Sequence, residues 1–182
     1  STTEHVMMLT HWNKLLNTDC IVIKVGQHMI YPIFRVGSTS LLVAADKRYT
    51  NKQISTCKHI NILIRDPGDR FASGLNEYSR ENDLGVNEAW TLVEQGKLID
   101  RHFAPQYLWL AHLYKFYKGD VTLKPFSSIR KFTNIHVKKD KHKKVAVAPL
   151  GSFVEVDYKL MEHYNEKIKL GELVKRYRHV LS

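Results

Sequence analysis

The sequence predicts an α/β fold, a central, mostly parallel sheet flanked by helices, in a single domain of 182 residues. Two segments carry that expectation. Residues 31–42, YPIFRVGSTSLL, read as a strand-like run, a tight glycine turn and hydroxyl residues opening an apolar segment. Residues 58–64, KHINILI, read as a short buried strand that ends in the loop Arg65-Asp66-Pro67-Gly68 and runs into a helical pattern. Two strands that each end in an anion-friendly loop suggest a parallel sheet, and in such sheets ligands bind beyond the carboxyl ends of the strands. Composition agrees with a folded chain: 43% of residues are hydrophobic and 25% charged, which excludes global disorder.

Taken in order, residues 10–16 predict a short helix capped by Thr10, with Trp12, Leu15 and Leu16 on one side. Residues 20–25, CIVIKV, are rich in β-branched residues and Gly26-Gln27 offers a turn. Residues 28–34 are apolar again, so a hairpin leads into the glycine loop, with His28 a strand residue. Residues 39–45 predict one or two helical turns, and the polar residues 46–53 a loop. After the second strand, helices are expected over 69–78 and 86–95, the latter ended near Gly96. Residues 107–117 form an aromatic helix-like stretch whose Trp109, Leu113 and Phe116 stripe reads as core packing. Residues 121–123 predict a strand and 128–134 a turn into another, and 154–181 have helical spacing divided near Gly171.

Net charge is +10, so anionic partners are expected: a nucleotide, an acidic glycan, nucleic acid or a membrane surface. Cys20 and Cys57 are too sparse for a disulfide scaffold or a zinc knuckle, and no metal is expected. No apolar run approaches a membrane span and the polar start is unlike a secretory signal, which points to a soluble protein, or a soluble domain cut from a longer one.

The glycine loop contains the groups that an anion requires. Gly37 lets the backbone approach, Ser38, Thr39 and Ser40 offer hydroxyls, and Arg35 supplies a permanent planar cation. The alternative is an ordinary helix N-cap after a strand. In the second loop a helix starting after Pro67 would return the Ser73 hydroxyl toward Arg65, eight residues earlier, and the two would hold one phosphate; alternatively, Arg65 bonds Asp66 or Asp69 and caps the turn. Residues 137–144, VKKDKHKK, carry five lysines, either a clamp for an anion or a solvated loop.

Together FRVGSTSL, IRDPGDRFASG, DRHFAPQYLWL and FTNIHVKK occur in an order that resembles the carbohydrate-type sulfotransferases, which use 3′-phosphoadenosine 5′-phosphosulfate (PAPS). The resemblance covers roughly residues 31–164 and implies a P-loop-like phosphosulfate-binding loop, with PAP (3′-phosphoadenosine 5′-phosphate) as product. It implies Arg65 and Ser73 as ligands of the 3′-phosphate, with Arg70 nearby. Arg35, Gly37, Ser38, Thr39 and Ser40 would form the 5′-phosphosulfate loop, Arg35 standing where the family usually has lysine. His102, Pro105 and Gln106 match an HxxPQ block of the family, and residues 132–136 its late loop.

On this resemblance a sulfuryl group passes in line to a hydroxyl or amine of a sugar-containing or other small acceptor, anionic acceptors included. Arg35 and the loop N–H groups would stabilise the charge on the departing phosphate without a metal. A base must take the acceptor's proton. Residues 41–58 contain neither glutamate nor histidine, His59 reads as structural, and the candidates are His102 first and Asp46 second. The runner-up is a catalytically impaired nucleotide- or polyanion-binding module on the same fold. Nucleic-acid binding through the lysines is disfavoured because no recognised motif accompanies them. A kinase is disfavoured because the GxxxxGK[ST] lysine is absent.

Overall fold

The computed structural model of the chain describes residues 3–95, 97, 101–133 and 152–181. Its architecture is α/β, a six-stranded mixed sheet flanked by helices. Strands β1 (Ile21–Val25), β2 (His28–Ile30), β3 (Lys47–Thr50), β4 (His59–Ile64), β5 (Asp120–Pro125) and β6 (Lys167–Lys169) lie in the order β3-β1-β2-β4-β5-β6. Only the central pairings, β2 with β4 and β4 with β5, are parallel; β1–β2, β1–β3 and β5–β6 are antiparallel. The expected mostly parallel sheet is therefore a parallel centre with antiparallel flanks.

Local chemistry explains the elements. Ile21, Val22, Ile23 and Val25 suit a pleated strand, and Gly26 takes φ +59 at the first turn position, where a side chain would be strained. The hairpin then places Ile23 opposite Ile30. β4 is buried along almost its whole length, as expected of a central parallel strand with an unbroken apolar run. Its one polar interior residue, Asn61, donates its side-chain amide to the Met29 carbonyl at 3.3 Å. Helix α3 (Pro67–Glu81) starts with Pro67 in its first turn and with the Asp66 carboxylate accepting the Asp69 N–H at 3.0 Å.

Several boundaries differ from the expectations. The first helix, α1 (Thr3–Leu16), is longer, so Thr10 lies inside it and is no cap; Trp12 and Leu16 are buried while Leu15 is exposed. Helix α2 is Ser38–Ala44. The stretch expected as a loop at 46–53 contains β3, a polar edge strand paired to β1, because an edge needs only one neighbour and no buried face. Helix α4 spans Val86–Glu94 and α5 Gln106–Tyr114, the latter packed against α1, α6 and α7 and buried on most sides. The C-terminal stretch divides at β6, between α6 (Ser152–Leu160) and α7 (Leu170–Tyr177). Gly171 lies in the first turn of α7. The lysine run 138–144, Gly96 and residues 134–136 of the late loop lie outside the described residues. Among the described residues no helix is long and apolar enough to cross a membrane.

Candidate anion site at the sheet edge

β2 and β4 are parallel neighbours, with Ile30 opposite Asn61, and β4 is in register with β5, Ile64 opposite Pro125. Three connections therefore leave the sheet from one edge: residues 31–37 after β2, Arg65 and Asp66 after β4, and the 3₁₀ turn Phe126–Lys131 after β5. Arg35 and Gly37 both take left-handed backbone conformations, φ +64 and +71, and bracket the buried Val36. A non-glycine residue held there stores roughly 1 kcal/mol or more, a form of strain that collects at functional loops.

Arg35 reaches across to α3. Its Nε and Nη2 donate to Ser73 Oγ at 3.0 and 2.6 Å, and its Nη1 lies 3.9 Å from Glu77 Oε2. The Glu77 carboxylate also pairs with Arg80. Both lone pairs of the Ser73 hydroxyl are engaged by the guanidinium, which leaves its O–H as a donor. Arg65 Nη1 donates to the Arg35 carbonyl at 3.1 Å, and the Arg65 guanidinium lies 4.9 Å from the Phe126 ring centroid. Arg35, Arg65 and Ser73 thus meet, although Ser73 bonds Arg35 rather than Arg65, and the turn after β4 is capped by Asp66 itself.

Two residues fix this arrangement. Gln106, fully buried, brackets the Arg65 backbone: its Oε1 accepts the Arg65 N–H at 2.9 Å and its Nε2 donates to the Arg65 carbonyl at 2.8 Å. Arg70, 4% exposed, donates Nε to the Phe34 carbonyl at 3.0 Å and Nη1 to the Ala104 carbonyl at 2.6 Å; its Nη2 has no partner. Burial, with Arg65 and Arg35 adding to it, lowers the Arg70 guanidinium to about 10, against the opposing pull of Asp157. Asp157 accepts the N–H groups of Gln106 and Tyr107 at 2.8 and 2.9 Å, and so caps α5 from α6. Burial raises its carboxyl to about 6, against Arg70 and those two N–H groups.

The remaining candidates separate. Gly37 is closed over: a Cβ there would lie 2.3 Å from Ile129 Cδ1 and 3.1 Å from Phe126 Cε2. Ser38 and Ser40 are half-buried and Thr39 exposed at the start of α2, and no side chain caps that helix. His102 stacks on Phe34, the residue before Arg35, with centroids 5.2 Å apart. Asp46 must be corrected. Its carboxylate accepts the Gly26 N–H at 2.7 Å, at the hairpin end of β1 and hence the opposite edge of the sheet, about 13 Å away along a five-residue strand. It has no access to a reaction at Arg35.

Gln106 was visible in sequence only as part of a block, without its role. Asp157 has a usable signal, a lone carboxylate among Val154, Val156 and Leu160 on a buried face, whereas the cover supplied by Phe126 and Ile129 has none. Among the described residues no group of three or more His, Cys, Asp or Glu is placed to hold a metal. Comparison of the chain with protein-family models, with curated proteins and with solved structures gave no match.

Proposed function

We propose that this edge binds the phosphates of PAPS and that the protein transfers its sulfuryl group to a hydroxyl or amine of a carbohydrate or other small acceptor, on a P-loop-like sulfotransferase fold. One observation carries the reading: the loops after β2 and β4, each expected to hold a phosphate, meet where Arg35 bonds Ser73 and Arg65 bonds the Arg35 carbonyl. The residues fit a phosphate. Among its contacts Arg65 makes a neutral hydrogen bond to the Arg35 carbonyl and faces the Phe126 ring, both exchangeable for an anion, and the Ser73 O–H is left to donate.

PAPS supplies the activated sulfuryl group. In this reading Arg65 and Ser73 hold the 3′-phosphate, and Arg35, with the backbone of Gly37, Ser38, Thr39 and Ser40, carries charge against the 5′ end. His102 is the remaining candidate to accept the acceptor's proton. A second reading, a binding module without transfer, is favoured by the cover of Ile129 over Gly37 and by the commitment of Arg35 to Ser73.

Calorimetric titration with PAP tests the proposal. Micromolar binding is expected, weakened at least tenfold by Arg65→Ala and by Ser73→Ala, since a charge-assisted hydrogen bond is worth about 1.5–3 kcal/mol. No binding to the wild type at low salt would sink both readings of the site. Binding without transfer from labelled PAPS to any acceptor tried would select the module.

A further inference from the structure

On the other side of Phe34 lies a separate cleft of about 110 Å³, between the end of α1, the start of β1 and α5. We infer that this cleft is a binding site for a small single-ring aromatic molecule carrying a hydroxyl, of the phenol class. Its walls set the size and shape. Tyr31, Phe34 and Trp109 form an aromatic corner, with the Phe34 and Trp109 rings 4.9 Å apart, and Leu16, Ile21 and Leu42 close the aliphatic side. An apolar cavity of about 150 Å³ holds benzene, so this slightly smaller but open space takes one ring and excludes fused systems.

The polar observation sets the substituent. His112 lines the cleft and is 6% exposed, yet neither of its ring nitrogens has a hydrogen-bond partner; the indole nitrogen of Trp109, another wall residue, also has none. Folded proteins leave few buried polar groups unpaired, and here three such atoms belong to two residues of one cleft. Burial first, then Lys115, lowers the His112 pKa, while the backbone of Thr18, a neighbour on the same cleft wall, opposes them. The ring is therefore a neutral imidazole at pH 7, with one N–H and one open lone pair. A phenolic hydroxyl donates to that lone pair while its ring packs on the aromatic corner. Arg101 and Asp19 also line the cleft, with opposite charges, and the Arg101 guanidinium lies 5.1 Å from the Phe34 ring centroid. The site is independent of the anion site and stands whichever way the PAP titration falls.

The test is an NMR titration of the protein with phenol and with toluene, following the side-chain resonances of His112 and Trp109. Saturable shifts are expected with both, with phenol about tenfold tighter, the difference made by one hydrogen bond to a buried partner. His112→Leu should reduce phenol to the affinity of toluene, and Leu42→Phe, a change at a half-exposed wall residue, should block both. Equal affinity of phenol and toluene for the wild type would overturn the inference and assign the imidazole to water. So would the absence of saturation up to the solubility limit of each probe, or unchanged binding in Leu42→Phe. The wild-type titration decides the matter even if His112→Leu fails to fold.

Discussion

The buried amide of Gln106 makes two hydrogen bonds to the backbone N–H and C=O of one residue, Arg65, at 2.9 and 2.8 Å, as a neighbouring strand would. Gln106→Ala removes both. At about 1 kcal/mol each, with about 0.8 kcal/mol for the buried methylene lost and a further cavity contribution, the expected destabilisation is about 3 kcal/mol. Gln106→Met keeps the volume and loses only the hydrogen bonds, so it should cost about 2 kcal/mol. Urea unfolding monitored by tryptophan fluorescence measures both, provided the slope is unchanged between variants. The pair of substitutions separates packing from hydrogen bonding. If Gln106→Met proved as stable as the wild type, the Arg65 peptide would be satisfied by solvent and the clamp would not be what fixes the end of β4. The Met variant should also weaken PAP binding by loosening Arg65, an effect that a purely structural glutamine would not show.

Gly37→Ala forces a side chain into a backbone at φ +71 and against Ile129 Cδ1; a loss of about 1–3 kcal/mol is expected, with partial recovery in the double variant with Ile129→Ala. A Gly37→Ala protein of unchanged stability would mean that the loop is free to rearrange. Asp157 titrates near 6 in the folded protein against an ordinary 3.8, so its contribution to stability is full below about pH 4 and is lost as pH rises through 6. About two pKa units correspond to on the order of 3 kcal/mol, and the stability of the wild type relative to Asp157→Asn should fall by that order between pH 4 and pH 7. A pH-independent difference would refute the assignment. Burial pushes the Cys20 thiol up to about 12 and raises Cys57 less, in keeping with their 2% and intermediate exposure, so iodoacetamide at pH 8 should alkylate Cys57 well before Cys20, as read by peptide mass spectrometry. Equal rates would contradict the burial of Cys20.

What the sequence disclosed was local. The hairpin, β4 and α3 follow from β-branched runs, from Gly26 and from Asp66-Pro67, because strand and cap preferences act over a few residues. The convergence of the two loops followed from reading residues 31–42 and 58–78 as two strand–loop–helix units, with Ser73 expected on Arg65. Their actual bond pattern did not, because whether Ser73 faces Arg35 or Arg65 depends on a left-handed turn at Arg35 that nothing in an arginine announces. β3 was missed because KRYT has no apolar face to betray an edge strand. β6, KIK, was missed because three residues are too few to break a helical pattern. Asp46 was misplaced for a related reason: its distance from Arg35 is set by the direction of α2 across the sheet, which eleven residues of sequence separation do not encode.

The two outermost strands share a property with consequences beyond the single molecule. β3 carries Lys47 and Arg48, and β6 carries Lys167 and Lys169, the latter two beside Asp120 of β5, so among the described residues each outermost strand of the sheet is lined with cations. An exposed strand is a template on which another copy can add, and placing like charges there makes such addition repulsive. Part of the +10 charge is therefore spent between molecules as a fence that keeps sheets from fusing edge to edge in a crowded solution. Added salt lowers that fence.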